Sequence, residues 1–142
     1  MGEFVALCTF AFLFSHRILN IGVASLIAFL YLIFILLQGS IYWFYRYILM
    51  VKKADFSPRA IKIFRSLRPL NMFLLVCGGV LIPIIKSSNK DLIIAIGVFL
   101  FGVIEYINYY WYRLSYGKSG FNIRILLNTK LKKSSINKMI NK

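Results

Sequence analysis

This chain is poor in the residues that do chemistry in water. Its 142 residues include 4 Asp and Glu, one His and two Cys. The lone histidine, His16, has no second ligand at turn or helix spacing, so neither a metal centre nor a cofactor is expected. Phosphate-binding loops, nucleotide-binding motifs and histidine-motif hydroxylase signatures are missing too. Catalysis around Glu105 would have only tyrosines, Asn108 and Arg46 to draw on, which points to a non-enzymatic role.

What the chain has in quantity is apolar surface. Hydrophobic residues make up 60% of it and the mean hydropathy is +0.75, more than a one-domain soluble fold of this length can bury. The 18 Lys and Arg give a formal net charge of +14. In a soluble protein that balance would suggest nucleic acid, but here the cations lie between and after the apolar runs. That is the distribution the positive-inside rule produces in cytoplasmic loops, so no direct nucleic-acid contact is expected. Cys8 and Cys77 both sit in apolar runs and are expected as small buried hydrophobes rather than a disulfide. The class is an all-α integral membrane protein, multi-pass, in the plasma membrane.

Walking the chain gives spans at about 3–17, 19–48, 70–85 and 92–112, which together form a bundle over 1–114. The run from Phe4 to Phe14 resembles a secretory signal in length. It has Glu3 where a basic residue belongs, and Ser15-His16-Arg17 follows instead of a cleavage site, so a retained first helix is expected. Four helices follow, or three if this first run lies in the interface. Both termini fall inside in either case, because both basic segments demand the cytoplasmic side. Ala24 and Ala28, with Gly22 and Ser25, allow close helix approach. The segment 52–69 reads as a basic cytoplasmic loop, with Ser57-Pro58 opening a short surface helix that Pro69 ends or kinks. Lys86 to Asp91 reads as a tight outer turn, and 115–142 as a basic amphipathic tail.

Glu105 is the one acid well inside an apolar run, and a carboxylate at that depth asks for a partner. Glu105, Asn108, Tyr109 and Tyr112 share one helix face at spacings of three and four. Arg46, approaching the same leaflet from the second span, and Asn71, at the start of the third, complete a candidate intramembrane network. Its plainest role is helix packing; a path or docking groove for a proton, ion, lipid headgroup or partner helix is the sharper one. The surrounding tyrosines and Trp111 fit an interfacial aromatic belt.

Two basic groups are candidates for contact with anionic lipid or a partner: Arg59, Lys62 and Arg65 in the loop, and Arg124, Lys130, Lys132 and Lys133 in the tail. Ser134-Ser135 lies among the latter and offers a phosphate acceptor. Lys, Asn, Ile, Tyr and Phe usage fits an AT-rich bacterial or phage genome. The stretch Glu105 to Tyr116 resembles a motif of small bacterial membrane proteins, and that resemblance implies no activity. The expected function is an accessory, assembly or immunity-type subunit that binds a membrane-protein partner or the anionic leaflet. The alternative is a homo-oligomeric channel or membrane-disrupting effector with Glu105 lining the path.

Overall fold

The computed structural model describes Thr9, residues 22–112 and residues 132–141. The first apolar run apart from Thr9, together with Arg124 and Lys130 of the tail, lies outside them. The described chain is helical: α1 (Val23–Lys52), α2 (Pro58–Ile85), α3 (Asn89–Tyr110) and the short α4 (Ser135–Ile140). The first three are long and apolar enough to cross a membrane. At 1.5 Å per residue they measure about 45, 42 and 33 Å, against a hydrocarbon core of about 30 Å.

α1 is the central helix. Ala24, Ala28, Tyr31, Ile35, Gln38 and Tyr42 are buried at alternating spacings of four and three. Ser25, Phe29, Leu32, Leu36 and Gly39 form a second buried row beside them. That spacing keeps a seam facing a neighbour along the whole helix, and two such rows bury α1 on two sides. The helix closes at Lys53, whose φ of 49° is left-handed, with the Ala54 amide returning to the Leu49 carbonyl at 3.0 Å.

The start of α2 follows the expectation: Ser57 accepts from the Ala60 amide at 3.3 Å and Pro58 occupies the first turn. Its course differs. The helix does not stop at Pro69 but continues through it, and through Pro83, to Ile85. The surface helix and the third span are therefore one element. Proline removes one backbone bond, and packing on both sides of it, through buried Phe64 five residues before and buried Asn71 two residues after, keeps the chain helical.

Contacts fix the order of layers. α1 and α3 run parallel, meeting first at Ser25 and Asp91, then at Leu32 and Gly102, then at Gly39 and Tyr109. α2 runs the other way, placing Ile82 with Ala24, Ala28 and Ala95, Gly78 against Phe99, and Asn71 against Gln38. Small residues thus fill one end of the bundle and rings the other. Past the end of α3, the last turns of α1 and the first of α2 continue together, joined by stacked Tyr42 and Phe56 rings 5.9 Å apart and by Phe64 edge-on to Tyr42 at 5.7 Å. Large apolar residues elsewhere on α2 and α3, such as Phe73, Ile84 and Ile93, are exposed, as lipid-facing positions are.

The end of the tail is not a free surface strand. α4 is docked: Ile136, Met139 and Ile140 join the same buried cluster as Tyr42, Phe64, Tyr109 and Tyr110. Their apolar positions find a protein groove, and hence burial, without needing the membrane surface. Ser134, one of the two expected phosphate acceptors, is buried there and caps α4 by accepting from the Asn137 amide at 3.1 Å.

Candidate functional site

The polar interior is organised at two levels, one at each end of the α1–α3 seam. At the narrow end Asp91 occupies the third position of α3, where its amide donates to the Ser88 cap at 3.1 Å. Its carboxylate reaches back to the Ser87 amide at 3.1 Å and across to α1, where it accepts from the Ser25 amide at 3.0 Å and from the Ser25 hydroxyl. That hydroxyl also lies 3.0 Å from the Asp91 carbonyl. One carboxylate therefore serves the first turns of two helices, where free amides and the helix dipoles favour negative charge. Asp91 stands at the rim of the bundle, yet it is 3% exposed because α1 lies directly on it. A Cβ at Gly22 would fall 2.2 Å from Asp91 Oδ2, so this approach requires glycine.

At the last turn of α3, three elements meet through amides. Asn71 Nδ2 donates to Gln38 Oε1 at 2.8 Å, Gln38 Nε2 donates back to Asn71 Oδ1 at 3.1 Å, and Tyr110 donates to Gln38 Oε1 at 2.6 Å. Gln38, Asn71 and Tyr110 are all buried. Such a reciprocal pair satisfies groups that lipid would leave bare, and it fixes the register of α1, α2 and α3 together. Gly39 lets the Tyr109 ring lie against α1: a Cβ there would stand 2.5 Å from the ring.

Beyond this level α4 completes the end of α3. The Ser134 amide donates to the Trp111 carbonyl at 3.0 Å, Asn137 Nδ2 donates to the same carbonyl at 3.0 Å, and the Ser134 hydroxyl donates to the Tyr109 carbonyl. These are carbonyls that a helix end leaves without an internal donor. Arg65 donates to the Ile140 carbonyl at 2.8 Å, tying α4 to α2. Arg68 lies with its guanidinium carbon 3.9 Å from the Trp111 ring centroid, and Tyr106 donates to the Arg68 carbonyl at 3.3 Å.

The residues singled out from sequence are distributed over this framework. Asn71 is joined to Gln38 and Tyr110. Glu105, half-buried, accepts from Asn108 Nδ2 at 3.5 Å, a long bond between neighbours on the same helix face. Tyr109 is buried against Gly39, while Tyr112 is exposed and bridged through its backbone to Lys133. Arg46 lies over the Trp43 ring of its own helix, its guanidinium carbon 5.3 Å from the ring centroid. Arg59, Lys62, Lys132 and Lys133 are exposed.

Two interior groups, Asp91 and Gln38, escaped the sequence reading. Gln38 carried a usable signal, an amide deep in an apolar run. The Ser88-Lys90-Asp91 sequence marks a helix start, but nothing local shows that the same carboxylate caps a second helix 66 positions away. No protein family, curated protein or solved structure matches this chain.

Proposed function

We propose that this chain is a multi-pass, non-enzymatic component of the cell membrane that serves as an accessory, assembly or immunity-type subunit. The observation that carries this reading is the state of the interior polar groups. Ser25, Gln38, Asn71, Asp91 and Tyr110 are spent on one another, holding helices in place, rather than gathered around a reacting atom. A rigid scaffold of this kind acts through its surfaces. Its cations concentrate at the α4 end, where Arg46, Lys52, Lys53, Arg59, Lys62, Arg65, Arg68, Lys132, Lys133 and Lys138 lie, against Lys86 and Lys90 at the Asp91 end. By the positive-inside rule that asymmetry favours a cytoplasmic α4 end, with both termini inside. Partners would then be a membrane protein or the anionic lipid of that leaflet.

A homo-oligomeric channel is the second reading, favoured by the half-exposed position of Glu105 within the apolar length of α3. Overexpression separates the two. Loss of membrane potential that Glu105→Gln abolishes supports the channel. An unchanged potential, with a stoichiometric membrane protein retained in mild detergent, supports the subunit. A reporter active only outside the cytoplasm, placed at Asn89, should be active and one after Lys142 silent; the reverse pattern overturns the orientation.

A further inference from the structure

We propose that the junction of α2 with the end of α3 is a binding site for the phosphate of an anionic phospholipid, with Arg68 as its ligand. This rests on the reading of the α4 end as the one facing an anionic leaflet, and it names a site within that surface. Arg68 is the more closely packed of the two half-buried arginines there: its guanidinium carbon is 3.9 Å from the Trp111 ring centroid, against 5.3 Å for Arg46 over Trp43, and its backbone is held by the Tyr106 hydroxyl. Among the described residues its N–H groups donate to no protein acceptor. A planar fork of donors held at a fixed height matches the oxygens of a phosphate, and Arg presents it pre-organised. Lys133 lies close by in the fold, its backbone bridging to Tyr112, the residue after Trp111.

The apolar side of the site argues for a lipid rather than free phosphate. Gly97, Leu100 and Ile104 form an exposed row on α3 at helical spacing, and exposed Trp111 follows two turns after Ile104, just past the end of the helix and beyond the half-buried Asn108. Gly97 leaves open space, with nothing within 4 Å of a Cβ built there. An acyl chain lying on this row would enter at the level of Trp111, where indole rings favour the headgroup boundary. The charged and apolar halves of the site are therefore in line.

The test uses the full chain with Trp43→Phe, which leaves Trp111 as the sole tryptophan of two. It is reconstituted with brominated phosphatidylglycerol or brominated phosphatidylcholine at equal mole fraction. The anionic lipid should quench Trp111 emission more strongly. Arg68→Gln should lower that preference about fivefold, the equivalent of one interfacial cation, while Lys52→Gln, an exposed cation at the same end, leaves it unchanged. Arg68→Lys, which keeps the charge and loses the planar guanidinium, should give an intermediate value and guards against misfolding of the Gln variant. Equal quenching by the two lipids overturns the proposal. So does an equal fall for Lys52→Gln, which would mean a diffuse surface charge, or full preference in Arg68→Lys. Abolition of the preference by excess inorganic phosphate would overturn the assignment to lipid. The reconstituted chain needs no partner protein for this measurement, so its outcome is separable from that of the co-purification experiment.

Discussion

The two ends of the α1–α3 seam solve one problem by opposite means. At the Asp91 end the helices come close through Gly22, Ala24, Ala28 and Ala95, and a single carboxylate supplies the polar contacts. At the far end the seam widens around Tyr42, Tyr109 and Tyr110, and amides, rings and the docked α4 fill the space. Close backbone approach concentrates the interaction in one group with no substitute. A wide, aromatic interior spreads it over many side chains that can adjust. The narrow end should therefore be brittle and the wide end tolerant.

Replacing Asp91 by Ala offers the sharpest test. It strands the Ser25 and Ser87 amides and removes both helix-start contacts, so unfolding in mild detergent should become easier by about 3 kcal/mol or more. A loss near zero would show that the narrow end is not held by its carboxylate. Ile136→Ala at the wide end should cost about 2–3 kcal/mol through the cavity it opens under Tyr109 and Tyr110, visible as a lower thermal midpoint. If it exceeds the Asp91 effect, the order of the two ends is reversed.

The amide level allows a finer comparison. Asn71→Leu alone should cost about 1–3 kcal/mol, because Gln38 loses its reciprocal partner. Gln38→Leu combined with Asn71→Leu should cost less than the sum of the two single changes, since neither amide is then stranded by loss of the other and only the Tyr110 hydroxyl is left without its acceptor. Additive costs would show that the pair does not act as a unit. At the small end of the scale, Gly22→Ala should destabilise by about 1–3 kcal/mol because it meets the Asp91 carboxylate, while Gly97→Ala, facing open space, should stabilise by about 0.5–1 kcal/mol. The same chemical change with opposite signs would confirm that approach distance, not helix propensity, governs the seam.

These features were unequally legible in the sequence. The apolar runs at 19–48 and 92–112 overlap the long apolar helices α1 and α3, because such runs register burial or lipid contact regardless of tertiary detail. The Ser57-Pro58 start of α2 was equally readable, being purely local. The continuation through Pro69 was not, because local propensity favours a break there and the neighbouring packing that overrides it is tertiary. The same holds inside the site. Asn71 stood out as a polar group at the start of an apolar run, but its partner Gln38 belongs to a different element. The contact of Arg46 with Trp43, within its own helix, is a detail of side-chain direction that depth in an apolar run does not carry.

The Asp91–Ser25 contact also sets an order of events in synthesis. The first turn of α1 is translated 66 residues before the carboxylate that completes it. Until Asp91 is made, the Ser25 amide and hydroxyl lack the partner that this clasp supplies. The start of the first long helix is thus completed only by the start of the last, and the two become one unit when that aspartate arrives.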